Sequence, residues 1–444
     1  MPSARSAFSS RQSKYAPSLG LRFAGLITGR AKRQLAVWFE AGLDTAALLF
    51  FPLLVLVPRG VAALASAAGL CAAGLVLLVR GFEPRPLFGR TAAVLACLLV
   101  WAMVSVFWSA DPWRSLALAA RLAGILAAGL ALVAAVGCIA APRRLVLSLL
   151  VGLAVGVAMV AIELATHGAL GALVSERAYQ ATRLNQASVS FAILLAPASA
   201  VLVYRGHAVF ALVIATATTA AIFALSGTSA KAAVAAGLAL GLLLYLGQIR
   251  AAYAAAVISS ILIITAPLSF ARLERFSGLT EAADRIKNSA GHRLMIWSFA
   301  GERIAERPLA GWGLDAARGI PGGKDPIRPG ETWLPLHPHN APLQVWLELG
   351  VPGAVLFALL VALPWCGLAT VPWPRIFVAA AGASLAIALI ASLTTYGIWQ
   401  EWWVATLWFS LFSVLVMARP PPRPVPALRD SSPSTLGRLP CRRG

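Results

Sequence analysis

Apolar residues fill long stretches of this chain, and polar residues are concentrated in the breaks between them. An apolar run of roughly 17 to 25 residues is long enough to cross a bilayer as a helix. The pattern predicts twelve such helices, near residues 41–58, 61–79, 91–108, 116–140, 145–165, 186–204, 208–226, 231–247, 251–269, 343–368, 376–396 and 402–418. It therefore predicts an all-α, polytopic membrane protein.

Composition agrees with this fold class. Of the 444 residues, 59% are hydrophobic and only 12% are charged, whereas a soluble domain carries about 25% charged residues. The net charge of +20 is a feature of many nucleic-acid-binding proteins. Here, however, the basic residues lie in tails and loops, as topology signals do. We therefore expect membrane lipids, and no nucleic acid, as partners. The long polar segment has no cysteine, so no disulfide framework is expected there.

Lysine and arginine predict how the helices are oriented. With the N-terminus in the cytoplasm, 21 of these residues lie in cytoplasmic segments and five in the short outer loops. Because basic loops are retained inside, both termini are predicted to be cytoplasmic. Residues 1–40 are then a basic cytoplasmic tail. Residues 419–444, which are rich in proline and arginine, are predicted to be a disordered cytoplasmic tail.

One long polar segment, residues 270–342, follows the ninth predicted helix and is therefore predicted to lie outside the cytoplasm. It carries ten basic residues, which an anionic ligand would explain. Residues Asp284 to Arg307 are predicted to form a single helix with an apolar face, which Pro308 ends. Arg303, Arg307 and Arg328 are expected on solvated faces.

The end of this segment, LHPHNAPLQVWLELGVPG, places His337 and His339 just before an apolar helix. Asn340 is a good helix cap, and Pro342 suits a first helical turn. His339 is therefore predicted at the N-terminal end of that helix. Unpaired backbone N–H groups there attract anions and favour a neutral imidazole, which suits a general base.

The motif around His339 resembles that of a known family. It reads His339, Asn340, nine residues to Leu349, Gly350 and then Gly353; upstream, GHRLMIWSFAGERIAERPLAGWGL has an Arg and a Trp ahead of Pro-Leu-x-Gly-x-Gly. With twelve predicted spans and a large loop after the ninth, the chain resembles the O-antigen ligase family. That family shares its membrane domain with O-antigen polymerases and some protein O-glycosyltransferases.

The resemblance implies a GT-C-like glycosyltransferase domain over residues 41–418, with residues 270–342 as its periplasmic loop. It implies transfer of a glycan from undecaprenyl diphosphate to a lipid A-core sugar at the periplasmic face of the bacterial inner membrane. The reaction would invert the anomeric centre and need no metal or other cofactor.

The resemblance also implies roles for particular residues. His339 would be the base, and Arg183 in TRLNQAS and Arg293 in GHRLMIW would bind the diphosphate. His337 and Asn340 would support substrate binding. Lys231 in SGTSAKAA, near where relatives often have a Ser-Arg pair, departs from that pattern and would be a further substrate contact.

Several alternatives remain open at the level of sequence. A polysaccharide polymerase would use the same chemistry, and a protein O-glycosyltransferase ranks third. A transporter for an anionic lipid would instead use Arg183, Arg293 and Lys231 to line a path. A zinc site at His337 and His339 lacks further ligands of the usual spacing.

Charged and aromatic residues in the predicted spans give further expectations. Arg121 and Glu163 either reach toward the membrane surface or have a function, because charges inside a membrane are costly. Glu348 is expected to pair with an arginine. Trp402 and Trp403 are expected in the aromatic belt at the membrane interface.

Overall fold

A computed structural model describes residues 29–81, 89–174, 180–286 and 288–419. Its helices are α1 Gly29–Leu56, α2 Gly60–Arg80, α3 Arg90–Val104, α4 Pro112–Ala135, α5 Pro142–Thr166, α6 Ala169–Val174, α7 Asn185–Tyr204, α8 Ala208–Ala224, α9 Thr228–Ile264, α10 Ala266–Ser269, α11 Leu279–Ile286, α12 Asn288–Glu306, α13 Ala341–Thr370, α14 Arg375–Thr394 and α15 Glu401–Met417. Short 3-10 turns cover Ser105–Trp108, Ala181–Leu184, Leu273–Arg275 and Ala316–Arg318. One antiparallel pair of strands, β1 Pro326–Arg328 and β2 Glu331–Thr332, lies in the long polar segment.

The prediction of an all-α polytopic membrane protein is confirmed. Nine helices in the described ranges are long and apolar enough to cross a membrane, and α8 and α15 are shorter apolar helices. The 37-residue α9 is bent at Gln248, whose φ of 34° is not helical. This bend falls between the predicted spans 231–247 and 251–269, so α9 covers both of them. Counting α9 twice, the apolar helices match the twelve predicted segments.

The ends of the chain fall largely outside the described ranges. The first helix begins at Gly29, so it includes part of the segment predicted as a tail. Residues 1–28 and 420–444 are not described, and the predicted character of both tails stays a prediction.

The centre of the bundle is packed by aromatic side chains from three helices. Phe50 of α1 stacks on Phe409 of α15 with 4.5 Å between ring centroids, and Phe51 stacks on Phe191 of α7 at 5.2 Å. Trp402 and Trp403 are also buried, and the Trp403 indole N–H donates to Ser392 Oγ at 3.3 Å. The prediction of an interface belt at these two tryptophans is therefore wrong, because α15 turns them toward its neighbours.

The intramembrane charges have intramolecular partners. Arg121 Nε lies 2.5 Å from Glu401 Oε1, so the guanidinium on α4 pairs with the first residue of α15. Glu163 is buried near the end of α5 and accepts a hydrogen bond from the Gly171 N–H. Both residues thus join helices, and neither contact involves the histidine motif.

The long polar segment, residues 270–342, folds over one end of the bundle. We call this end, where that segment lies, the loop end. Asp284 of α11 lies against Gly291 of α12, since a Cβ placed on Gly291 would come within 2.0 Å of the Asp284 carboxylate. Residues seven apart in one straight helix are about 10 Å apart along its axis. The prediction of a single helix from Asp284 to Arg307 is therefore wrong, because α11 folds back on α12.

The three arginines predicted on solvated faces also have intramolecular partners; Arg307 is exposed as predicted, and Arg303 and Arg328 are partly exposed. Arg303 pairs with Glu306 at 2.9 Å, and Arg328 pairs with Asp284 at 3.0 Å. Arg307 lies over the Trp312 ring, 4.1 Å from its centroid. Of these contacts, the pair of Arg328 with Asp284 joins β1 to α11.

Candidate active site

His339 lies immediately before α13, as predicted. Asn340 is the N-cap, and its Oδ1 accepts a hydrogen bond from the Leu343 N–H at 3.0 Å. Trp297 of α12 donates its indole N–H to the Pro338 carbonyl at 2.9 Å, which holds the turn between the two histidines. The Arg and Trp of the upstream motif, Arg293 and Trp297, are four residues apart and so share one face of α12.

The backbone of His339 has a left-handed conformation with φ of 56°. Such a φ is strained for a residue with a Cβ, and strained residues of this kind cluster at functional sites. Two contacts hold it: the His339 N–H donates to His337 Nδ1 at 3.2 Å, and the His339 ring contacts Thr395.

The contact with Thr395 determines where the His339 ring carries its proton. His339 Nδ1 lies 2.6 Å from the Thr395 carbonyl oxygen. A carbonyl can only accept, so Nδ1 is the donor. In the neutral ring Nε2 is then unprotonated, and its lone pair is available to a substrate proton.

His337 is buried, and both of its ring nitrogens are engaged within the protein. Nδ1 accepts the His339 N–H, and Nε2 lies 3.1 Å from the Gln400 side-chain amide nitrogen. Because Nδ1 is an acceptor, the single proton of the neutral ring is on Nε2, which needs an acceptor. The Gln400 amide supplies one if its nitrogen and oxygen are exchanged by a 180° rotation, which also gives a partner to its buried Oε1. His337 therefore has no free nitrogen for a substrate and acts as a support for His339.

Burial keeps both rings neutral. Burial lowers the pKa of His337 to about 3, with further lowering by His339, Arg318 and Arg293. Burial also lowers the pKa of His339, which the Thr395 hydrogen bond partly opposes and the charge of Arg293 reinforces. At neutral pH the His339 ring is thus uncharged, and its Nε2 has no hydrogen-bond partner among the residues described.

Arg293 is a partly buried cation beside the histidines. Burial lowers the pKa of its guanidinium, and the nearby Tyr396 hydroxyl opposes this shift. In the described part of the chain, no carboxylate lies within salt-bridge distance of Arg293. A desolvated guanidinium without a carboxylate favours an anionic ligand.

Arg293 lines an open groove of about 520 Å³. Its walls are mostly apolar and come from α9, the Leu273 turn, α11, α12 and the end of α14: Thr228, Ser229, Ala232, Leu273, Leu279, Ala283, Ala290, Leu294, Trp297 and Thr394. The groove therefore combines one cation with an apolar surface, which suits a ligand that has an anionic group attached to a lipid.

The other two predicted cations lie on segments that border this region. Arg183 is exposed in the 3-10 turn before α7. Two residues further on, the backbone carbonyl of Asn185 accepts a hydrogen bond from the Tyr396 hydroxyl at 3.1 Å. Lys231 lies in the first turn of α9, between groove residues, with its Nζ 5.8 Å from the Phe223 ring centroid. Neither cation has a salt-bridge partner among the residues described.

Gly350 explains the spacing of the motif. It interrupts α13 with φ of 61° and ψ of −157°, a conformation open essentially to glycine alone. At this break the segment from Pro308 to Gly313 lies against the helix, with Trp312 N–H donating to the Leu347 carbonyl at 2.9 Å and Gly313 N–H to the Glu348 carbonyl at 2.8 Å. A Cβ on Gly350 would approach the Leu309 carbonyl oxygen to 2.4 Å.

The turn between α14 and α15, residues 395–400, was missed by the sequence interpretation. It supplies the Thr395 carbonyl, Tyr396 and Gln400. Its TYGIWQ sequence has no spacing that marks a site, and it lies 56 residues beyond His339 along the chain. Tertiary packing brings it there, and its Thr395, Ile398 and Gln400 then contact His339, Gln344 and His337.

Glu348 also departs from prediction. It is fully buried and does not pair with an arginine; its carboxylate accepts hydrogen bonds from the Asp315 N–H, Gln344 and Trp399. Among the residues that the structure describes, no three His, Cys, Asp or Glu side chains are grouped as a metal site would require.

Fold and site together define a multi-pass α-helical membrane protein with a neutral histidine at one end of its bundle. Beside it lie cations that have no salt-bridge partner in the described part of the chain. Residues 208–358 match the family model described as O-antigen ligase. This range contains Lys231, Arg293, His337, His339 and Asn340, whereas Arg183 lies outside it. The resemblance to the O-antigen ligase family is thereby confirmed.

Curated relatives agree with this match. The chain is 36% identical over 136 residues to a candidate polysaccharide ligase of Rickettsia conorii, covering 30% of this chain and 33% of the relative. It is 34% identical over 136 residues to a candidate polysaccharide ligase of Rickettsia felis, covering 30% of this chain and 33% of the relative. It is 33% identical over 147 residues to one of Rickettsia bellii, covering 32% of this chain and 36% of that relative. The matched region thus spans about a third of these relatives.

Proposed function

We propose that this protein is an O-antigen ligase, a glycosyltransferase that moves a glycan from undecaprenyl diphosphate to a sugar of the lipid A-core. The observation that carries the proposal is His339 Nε2 beside the partly buried Arg293, neither of which has a hydrogen-bond or salt-bridge partner among the described residues. One group can take a proton and the other can stabilise a leaving diphosphate.

The reaction follows from these two groups. A hydroxyl of the acceptor sugar gives its proton to His339 Nε2, and its oxygen forms a bond to the anomeric carbon of the donor. The bond between that carbon and the diphosphate oxygen breaks, and the electron pair leaves with the diphosphate. Attack from the face opposite the leaving group inverts the anomeric centre.

Arginine takes the place that a metal holds in other glycosyltransferases. Negative charge builds on the diphosphate as the bond breaks, and fixed cations in a water-poor site stabilise it. Arg293 is already desolvated by the protein, so it needs little reorganisation. Arg183 and Lys231 border the same region and are proposed as further contacts to the diphosphate. No cofactor is required.

The other predicted residues have supporting roles in this proposal. His337 holds the backbone N–H of His339 and so helps to orient the base. Asn340 caps α13 through Oδ1, while its Nδ2 has no hydrogen-bond partner among the described residues. A buried donor without a partner is costly, and we propose that an oxygen of the substrate satisfies it when the site opens to bind.

The groove beside Arg293 is the proposed position of the donor lipid. Its apolar wall would contact the first isoprene units, and the diphosphate would lie at Arg293. The proposed location is the inner membrane with the loop end in the periplasm, which rests on the excess of basic residues in the other loops.

Deletion of the gene distinguishes this function from its alternatives. Loss of a ligase leaves lipid A-core without polymer and strands polymer on the lipid carrier, whereas loss of a polymerase leaves core that carries a single repeat. Loss of a transporter leaves the donor lipid on the cytoplasmic side. Lipopolysaccharide gels of the deletion strain, complemented with wild type or with His339→Ala, separate these outcomes. Bare core with His339→Ala is the expected result, and normal surface glycan with that variant contradicts the role of the base.

A further inference from the structure

Two segments near the histidines, the 395–400 turn and the long polar segment, meet at two side chains of α13. Gln344 and Glu348 lie one turn apart and are both buried. Gln344 Oε1 accepts the Ile398 N–H at 3.0 Å, and Gln344 Nε2 donates to Glu348 Oε1 at 3.1 Å. Glu348 Oε2 accepts the Trp399 indole N–H at 2.7 Å and the Asp315 N–H at 2.6 Å.

These contacts involve the turn that holds the base. Ile398 and Trp399 belong to the 395–400 turn, whose Thr395 carbonyl accepts from His339 and whose Gln400 contacts His337. Asp315 belongs to the long polar segment and pairs with Arg318, a cation that lowers the pKa of His337. The pair on α13 therefore touches the support of each histidine without touching either histidine.

The direction of every hydrogen bond in this cluster is determined by its partners. Backbone and indole N–H groups can only donate. Ile398 therefore requires the oxygen of Gln344, which turns the Gln344 amide nitrogen toward Glu348. Both oxygens of Glu348 then face donors, and they act as acceptors only.

We propose that Gln344 and Glu348 are positioning residues, which fix the 395–400 turn on α13 and thereby hold Thr395 against the Nδ1–H of His339. The inference rests on the proposed function for its kinetic consequence. Its structural part, the proton position of His339, stands independently of that function. A transferring enzyme needs the base held to within a fraction of an ångström, so a small shift of Thr395 lowers the rate.

The pattern of donors and acceptors offers a stringent test. In Glu348→Gln, an amide nitrogen replaces one acceptor oxygen. This nitrogen, a donor, then faces another donor: either the Gln344 amide nitrogen or the N–H groups of Asp315 and Trp399. Turning the Gln344 amide over removes the first conflict but places its nitrogen against the Ile398 N–H. In the exchanged variant Gln344→Glu/Glu348→Gln, the carboxylate accepts from Ile398 and from the new Gln, whose oxygen accepts from Asp315 and Trp399. All four hydrogen bonds are then restored.

The kinetic expectation is a loss and a rescue. With a synthetic undecaprenyl-diphosphate-linked oligosaccharide as donor and lipid A-core as acceptor, Glu348→Gln should lower kcat on the order of tenfold or more. Donor KM should change little, because neither residue touches the groove. The exchanged variant should return kcat to within about threefold of wild type, since its hydrogen bonds match.

A spectroscopic measurement checks the same claim without turnover. Nitrogen-15 NMR of histidine-labelled protein in detergent reports whether Nδ1 or Nε2 carries the proton, and comparison with His339→Ala assigns the signal of His339 among five histidines. Glu348→Gln should convert His339 from the Nδ1–H form to a mixture, and the exchanged variant should restore it. Glu163→Gln is the matched control, a buried glutamate that contacts Gly171 and should leave the signal unchanged.

The outcomes separate this inference from the proposed function. An unchanged His339 signal and kcat in Glu348→Gln overturns the inference, and so does an exchanged variant that is no better than the single one. Absence of transfer by wild type, with a His339 signal that still shifts and recovers, contradicts the function and supports the positioning. If Glu348→Gln does not accumulate, Trp399→Phe removes one donor and should shift the same signal less.

Discussion

At the scale of single residues, the proposed base His339 takes its proton position from contacts that come from outside its own motif. The Thr395 carbonyl places the proton on Nδ1, and burial with the charge of Arg293 disfavours the imidazolium form. Both effects keep Nε2 unprotonated at neutral pH. Hydrogen bonding by His337 holds the strained backbone that aims the ring.

The lowered pKa of His339 predicts the pH dependence of transfer. The base is active when neutral, so kcat/KM should be constant at neutral pH and fall as pH drops through the pKa of His339, below 6.5. Arg293→Gln removes a positive charge that disfavours protonation, so this fall should move to higher pH, and kcat should decrease by about 100-fold.

The control for this experiment is Arg303→Gln on the same helix, since Arg303 pairs with Glu306. It should leave both the rate and the pH profile close to wild type. A pH profile that Arg293→Gln does not displace would contradict the proximity of Arg293 to the base.

The part of this site that lies at a helix start could be predicted from the sequence. His339 and Asn340 could be predicted because a helix start has local chemistry: a cap, a proline and exposed N–H groups. Three other features could not be predicted: the Thr395 contact, the partners of Glu348 and the burial of Trp402. Each depends on which helix lies alongside. An acid in an apolar run was expected to need an arginine, but three neutral donors satisfy Glu348 instead.

At the scale of elements, the break in α13 lets the long polar segment approach the helix. The segment from Pro308 to Gly313 hydrogen-bonds to the carbonyls exposed around Gly350, and Val351 donates its N–H back to the Pro308 carbonyl at 3.0 Å. Trp101 of α3 donates its indole N–H to the Leu349 carbonyl at 2.8 Å. The motif spacing was visible in the sequence, but the segment that fills the break was not.

Gly350→Ala should therefore destabilise the protein. Both the positive φ and the 2.4 Å approach to the Leu309 carbonyl oxygen exclude a Cβ, and backbone strain alone costs about 1–3 kcal/mol. The midpoint of thermal unfolding in detergent should fall by about 5 °C or more. Gly367→Ala, on the same helix with open space around it, is the matched control and should leave the midpoint unchanged or raise it slightly. Equal midpoints for the two variants would contradict the role assigned to the break.

At the scale of the whole molecule, polar chemistry is collected at one end of an apolar bundle. The loop end brings together α9, α12, the start of α13 and the 395–400 turn, while the bundle centre is packed by phenylalanines. The positions of the apolar helices could be predicted because helix length and apolarity are local properties. The fold of the polar segment could not, because α11 and α12 are held together by tertiary contacts.

The most direct test of the central claim is transfer by the purified protein in proteoliposomes. Wild type, His339→Ala and His337→Ala are mixed with undecaprenyl-diphosphate-linked oligosaccharide and lipid A-core in the presence of EDTA, and the glycosylated lipid is measured by mass spectrometry. Wild type should form product without added metal, His339→Ala should lose at least about 100-fold in rate, and His337→Ala should lose less because it acts through His339. Product formed by His339→Ala at the wild-type rate, or none formed by wild type, would contradict the account.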